Sequence, residues 1–434
     1  MAPKNKIILD TDPGVDDIMA LLLALSASHE ELELAMISVT YGNVPLQSCL
    51  RNVVAMFHVL EKELEWRRST GRPEGFETLK ASKPIVAAGA EHSLESEHLE
   101  ADYFHGADGL HNVHDIHKDL SPADTWKSLF SEGNNFVDHT IFSPYFRPSK
   151  ERAHKEMLRI LKEEPANTVS ILAVGPLTNV ALAAAEDPET FLRVKEVVVM
   201  GGAVDLEGNV TPVSEFNTYA DPTAAARVYA LTSRSPKSTM PPNPAGGKIL
   251  PPYPEKLSKQ LNLTLCPLDI TTPHLIMKNY FAEKIKPIVE SGSPLGRWTS
   301  HFITGAFTKI ESMEGDGNEP GLSLHDPLTV WYMLTRDDPR WKTPAKLEDI
   351  RVETCGQWTK GMHVVDRRIR AKPAEAAVEL SDDPDADPKI ILLDEVPGDT
   401  MAWLSVLKGN RIRRVIESPG VDTFKDVWMQ RVFG

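Results

Sequence analysis

Residues 6–25 read KIILDTDPGVDDIMALLLAL, and the order of residue types in this stretch decides the fold class. Lys6 to Leu9 is a short β-branched and apolar run, Asp10 to Asp17 is a cluster of Asp, Pro and Gly, and Ile18 to Leu25 is apolar nearly all round. That order predicts a buried strand, a loop and a core helix whose first turn carries Asp16 and Asp17.

The same order recurs along the chain. Glu33 to Thr40 is strand-like before Tyr41-Gly42-Asn43, and Ser48 to Leu60 has a helical pattern. Thr168 to Val174 is strand-like before Gly175-Pro176-Leu177-Thr178-Asn179 and the Ala-rich helix Val180 to Ala185. Glu196 to Met200 precedes Gly201-Gly202, and Pro222 to Leu231 is helical in pattern. Continuous apolar strands alternating with helices predict an α/β fold, a mostly parallel open sheet covered on both faces. Such sheets place ligands at the carboxyl ends of their strands, where these polar clusters all fall. One domain spanning 1–434 is expected, with insertions at 65–83, 121–150, 232–254 and 370–410.

The balance of 47 Lys+Arg against 62 Asp+Glu gives a net charge of −15, which repels a phosphate backbone and argues against a nucleic-acid partner. No apolar run is long enough to span a membrane. The N-terminal region carries charges too early for a signal peptide, and three scattered cysteines without CxxC spacing suit a reducing compartment, so a cytoplasmic location is expected.

Asp10, Asp12, Asp16 and Asp17 place four carboxylates in eight residues directly after a buried strand. Anions this close repel in a semi-buried loop, so a hard divalent cation is expected among them, Ca²⁺ or Mg²⁺ in view of the oxygen ligands. The bland alternative, helix capping or solvation, suits one Asp better than four. Glu215-Phe216-Asn217, with Asn209 before it and Asp221 after it, offers both donors and acceptors to the vicinal diol of a sugar, although alone it also reads as a turn and a helix cap. In His325-Asp326-Pro327, Asp326 can add a metal oxygen and His325 can donate a proton, or the pair can simply start a helix. Among His105, His111, His114 and His117 a solvent-facing helical stripe is expected, with His105, beside Gly106, the member placed at a binding site. The DxD after the first strand is also similar to the haloacid dehalogenase phosphatases, with Pro13 where they have Gly. A Mg²⁺-dependent phosphohydrolase using Asp10 is therefore the rival reading.

Taken together, these segments resemble the nucleoside hydrolase family, the inosine-uridine preferring ribohydrolases. The resemblance runs through Ile7 to Asp17, Thr40 to Asn43, His105-Gly106, Val174 to Asn179, Met200 to Gly202, Glu215 to Asn217 with Tyr219 to Pro222, His325 to Pro327, and Gly361-Met362 with Val365 to Arg368. It implies a Rossmann-like nucleoside hydrolase fold and Ca²⁺ held by Asp12, Asp17, Asp326 and the Val174 carbonyl. It also implies ribose contacts from Asp16, Asn43, Asn209, Glu215 and Asn217. Asp12 would be the general base on a calcium-held water attacking C1′, and His325, helped by His105, would assist the departing base. The implied substrate is a small ribonucleoside, the implied assembly a homodimer or homotetramer. A catalytically inactive nucleoside-binding homologue is the third reading, and it would be favoured by a missing ligand.

Overall fold

The computed structural model describes residues 3–95, 104–131, 138–244, 246–314, 317–368 and 398–434. Its strands are β1 (Asn5–Thr11), β2 (Leu32–Val39), β3 (Ile85–Ala88), β4 (Arg147–Ser149), β5 (Val169–Ala173), β6 (Glu196–Met200), β7 (Leu263–Cys266), β8 (Leu275–Met277), β9 (Gly321–Ser323), β10 (Arg351–Val352), β11 (His363–Val364) and β12 (Arg413–Arg414). Eight of them form one sheet in the order β12-β7-β6-β5-β1-β2-β3-β4, and every pairing within it is parallel. β8–β9 and β10–β11 are small antiparallel pairs.

The sheet has a core on each face, and the side chains of β1 divide between them. Ile7 and Leu9 join one core with the helices Val15–Ser26 and Leu46–Ser69, while Ile8 joins the other with Ala153–Glu163 and Thr178–Glu186. Burial on both faces is why these strands read as apolar runs without alternation. The register of β1 against β2 shifts between Ile7 and Ile8, which pair with Leu34 and Met36 and leave Ala35 as the extra residue. That bulge puts Leu34 and Ile37 into the same core.

The helix expected over Ser48 to Leu60 runs from Leu46 to Ser69, into the stretch taken to start an insertion at residue 65. Its last turns are held by a buried ion pair: Arg67 Nε donates to Glu63 Oε1 at 2.7 Å, and Arg67 Nη2 donates to the Val432 carbonyl at 2.7 Å. Glu63 Oε2 accepts from Ser293 Oγ and from Leu295 N, at the start of the helix Pro294–Glu314. Of the other proposed insertions, 121–150 ends in edge strand β4, and 232–254 has only the turn Pro236–Ser238 as regular structure among its described residues. The segment 370–410 lies outside the described residues up to 397. No described helix is long and apolar enough to cross a membrane.

Candidate active site

The carboxyl ends of β1, β2, β5 and β6 point to one edge of the sheet, and the loops leaving them bring the polar clusters together. After β1 the chain turns at Pro13-Gly14 and enters the helix Val15–Ser26, so that Asp17 reaches back under the turn. Asp17 accepts four hydrogen bonds: Thr11 Oγ1 (2.6 Å) and Asp12 N (3.1 Å) to Oδ1, Gly14 N (3.0 Å) and Asn43 Nδ2 (2.7 Å) to Oδ2. Asp12 Oδ2 accepts from Asn43 N at 2.7 Å, whereas Asp12 Oδ1 is buried without a hydrogen-bond partner among the described residues. A Cβ on Gly175 would lie 2.5 Å from that oxygen, so glycine is what lets the β5 loop come so close.

From the far end of the chain, the helix His325–Thr335 points its first turn at the same loop. Ligand oxygens of Asp16, Asp17 and Asp326 lie within 4.8 Å of one another. The expected trio had Asp12 where this convergence has Asp16. Asp12 stands next to it, since its charge and that of Asp16 both act on Asp326. Burial raises all four, and repulsion from neighbouring carboxylates adds to it at Asp12, Asp16 and Asp326. Asp12 and Asp326 are raised well above the usual range, first by burial and next by the Asp17 and Asp16 charges respectively. Asp16 is pushed up to about 8, first by burial and then by Asp17. Asp17 is also raised by burial, against the four donors it accepts. A buried carboxylate oxygen lacking any partner, among anions that repel, is the environment a divalent cation would relieve; the oxygen-only donor set fits a hard one. The Val174 carbonyl is at hand, accepting from Asn217 Nδ2 at 2.7 Å and retaining its second lone pair.

A cavity of about 350 Å³ opens over these carboxylates, within the size range of small-molecule sites. Asp16, Asn43, His105, Val174, Asn209, Glu215, Asn217, His325 and Asp326 line it, whereas Asp12 and Asp17, both fully buried, lie behind the wall. Glu215 caps its own short helix, Phe216–Ala220: Oε1 accepts from Asn217 N, and Oε2 accepts from Thr218 N and Gly202 N. One of its lone-pair sites is left for a hydroxyl. Asn209 Oδ1 accepts from Phe216 N, which leaves its amide NH₂ to the cavity. Asn43 has spent its side-chain donors on Asp17 and on the Asp12 carbonyl, so only its Oδ1 can serve a substrate.

His105 Nδ1 accepts from Val15 N at 3.0 Å, on the first residue of the helix after β1. Burial and the neighbouring histidines lower it to about 3, so the imidazole is neutral. His325 is lowered to about 4 by burial, and its Nδ1 lies 2.7 Å from Thr271 Oγ1. The expected solvent-facing stripe of histidines is not what forms. His114 is 2% exposed, bonded to Asn52 Oδ1 and Ser121 Oγ, and the helix holding it is only Val113–Ile116. Spacing suggested an exposed face because the loop's tight turns, with Gly106, Gly109 and Asn112 at positive φ, are invisible to a periodic reading.

Asp10 does not join the site. It is fully buried within β1, where Oδ1 accepts from Ser38 and from Asn179 Nδ2 (2.9 Å) and Oδ2 has no partner among the described residues, and it is not among the carboxylates that converge with Asp326. The sequence reading missed the apolar wall of Phe104, Val210, Ile310, Met313 and Leu322. Ile310 and Met313 belong to the helix Pro294–Glu314, where nothing in the sequence separates a cavity wall from core.

The sequence model of the inosine-uridine preferring nucleoside hydrolases matches residues 7–387. The non-specific ribonucleoside hydrolase RihC of Klebsiella pneumoniae is 28% identical over 378 residues, covering 87% of this chain and 93% of that protein. An uncharacterised protein of Schizosaccharomyces pombe is 28% identical over 361 residues, 83% of this chain and 89% of its own. Among solved structures, a purine-preferring ribonucleoside hydrolase from Gardnerella vaginalis aligns with a TM-score of 0.63 at 21% identity, covering 99% of this chain and 98% of its own. A plant nucleoside hydrolase aligns at 0.62 and 20% identity over 99% of both chains.

Proposed function

The chain belongs to the inosine-uridine preferring nucleoside hydrolase family and is a nucleoside N-ribohydrolase, and from that premise we propose that it releases free base and ribose in a calcium-dependent reaction using Asp12 as general base. The family is metal-dependent, and we assign the ion to Asp12, Asp17, Asp326 and the Val174 carbonyl, with Asp17 exchanging one of its four hydrogen bonds for the ion and Asp16 beside them for a ribose hydroxyl. When bound, the cation supplies the positive charge these carboxylates lack and a Lewis-acidic contact that orients water and sugar oxygens.

The rest is the work of the chain. Asp12 Oδ1, free of any hydrogen-bond partner among the described residues, takes the proton of the water that attacks C1′. Asn209 and Asn217 present one donor and one acceptor to the sugar, the last site on Glu215 accepts a hydroxyl, and Asn43 Oδ1 accepts another. As the bond to the base stretches, the ribosyl group gains oxocarbenium character, and the ionised carboxylates around it stabilise that charge. His325, with His105 nearby, donates a hydrogen bond to the departing base from a neutral ring. Phe104, Val210, Ile310, Met313 and Leu322 supply an apolar surface for that base.

The observation carrying this reading is the convergence of Asp12, Asp16, Asp17 and Asp326 beneath a cavity that Asn209, Asn217 and His325 also line. The phosphohydrolase alternative has no support from Asp10, whose carboxylate is locked to Ser38 and Asn179 away from the cavity. The inactive-homologue alternative would be favoured by a missing ligand, and all the assigned side chains are present. Incubation with uridine, inosine and a phosphomonoester, with and without chelator, tests the proposal. Base and ribose are expected in the calcium-supplemented reactions only; phosphate release without ribose would overturn it.

A further inference from the structure

Thr271 Oγ1 lies 2.7 Å from His325 Nδ1, and Thr271 is fully buried outside the cavity wall. We propose that Thr271 is a positioning residue: its hydroxyl donates to His325 Nδ1, so that Nδ1 is an acceptor and the ring proton sits on Nε2, which makes the ring a donor toward the departing base. This rests on the proposed role of His325 and deepens it.

The geometry leaves two arrangements. A neutral imidazole has one donor and one acceptor nitrogen, and a hydroxyl can play either part. If Nδ1 carried the proton, Nε2 would offer the cavity a lone pair, unable to assist a base that needs a donor. Thr271 Oγ1 would then accept, and its own hydrogen would need another acceptor. Thr271 is 0% exposed, at the end of the helix Leu268–Thr271, and no other partner of its hydroxyl is recorded among the described residues. Accepting from His325 would strand that hydrogen in the interior; donating to it satisfies both groups. His105 provides the parallel in the same cavity, because the partner of its Nδ1 is a backbone N–H, which can only donate. Both rings line the cavity and are held at Nδ1, leaving Nε2 as the nitrogen offered to substrate. Thr271 is not part of the cavity wall, so its effect on turnover has to pass through the ring.

The test compares inosine with 4-nitrophenyl riboside, whose leaving group needs no proton, in calcium-supplemented full-length enzyme. Thr271→Val keeps the shape of the side chain and removes the donor. It is expected to lower kcat on inosine about tenfold or more, with KM little changed, and to leave 4-nitrophenyl riboside within about twofold of wild type. Thr271→Ser should restore inosine turnover. Imidazole ¹⁵N shifts, with His325 assigned by the signals lost in His325→Gln, read the tautomer directly: Nε2–H in wild type, with Nδ1–H appearing in Thr271→Val. Equal losses on both substrates, or an unchanged tautomer in Thr271→Val, would overturn the proposal. If Thr271→Val does not fold, Thr271→Ala serves for the same measurements. His325→Gln separates the two claims. If it is indifferent to leaving group, the role of His325 fails, while the tautomer still decides that of Thr271; if it is selective and Thr271→Val is not, only the positioning role fails.

Discussion

Removing the divalent ion should destabilise the protein in a way that depends on pH, and the buried carboxylates set both the sign and the window. An ion held at 100 times its dissociation constant stabilises the folded state by about 2.7 kcal/mol. For 434 residues, at about 2.1 cal/mol/K per residue, the unfolding entropy is about 0.9 kcal/mol/K, so the expected rise in Tm is about 3 °C. Asp16 is pushed up to about 8, and Asp12, Asp17 and Asp326 are raised as well, with burial the first cause each time. A folded-state value above the unfolded one makes a contribution to stability that is full below about 4 and is lost as the pH rises through the folded value. Chelated protein should therefore lose stability between about pH 4 and 8. The contribution of the ion should grow over the same range, because ligands must shed their protons to bind it. At pH 5 protons compete with the ion for Asp12, Asp17 and Asp326, all raised above the usual carboxylate range, and the 3 °C shift should shrink markedly. Differential scanning fluorimetry with calcium or chelator at pH 5 and 8 measures this, and Asp326→Asn should abolish the pH 8 shift. Equal Tm with and without chelator at pH 8, or a shift just as large at pH 5, would refute the reasoning.

Asp12→Asn should cut kcat on ribonucleosides by about a thousandfold while leaving the circular dichroism spectrum unchanged, since it removes the base and keeps the shape. Gly14→Ala would put a Cβ 2.6 Å from His105 Nδ1 and 2.9 Å from Asn43 Nδ2, forcing the ring off Val15 N; kcat/KM on inosine should fall about tenfold or more, and unchanged kinetics would deny His105 a part. Glu63→Ala strands the buried Arg67 guanidinium and uncaps the helix Pro294–Glu314, and should cost about 3–5 kcal/mol in urea unfolding.

The order of the sheet's inner elements could be read from the chain because their burial on both faces leaves a compositional mark. Ile7 to Leu9, Glu196 to Met200 and the loops after them fall where the runs of apolar residues predict. Edge strand β4, three residues with Pro148 at its centre, leaves no such mark. The carboxylates were visible as a cluster because repulsion among Asp12, Asp16 and Asp17 is a property of sequence neighbours. That Asp326 meets them depends on packing between the helices Val15–Ser26 and His325–Thr335, which no local pattern encodes. Capping by Glu215, and the commitment of Asn43 to Asp17, likewise appear only once loops distant in sequence are adjacent. Thr271 had no signal at all: of the two adjacent threonines, Thr271 and Thr272, nothing local marks one out.

The four donors gathered by Asp17 come from Thr11, Asp12, Gly14 and Asn43, all of them chain atoms. The turn is therefore tied by the chain's own donors, unlike a zinc finger, whose fold is tied by its metal. Chelation is accordingly expected to act as a reversible off-switch, with activity returning on calcium addition and no refolding step.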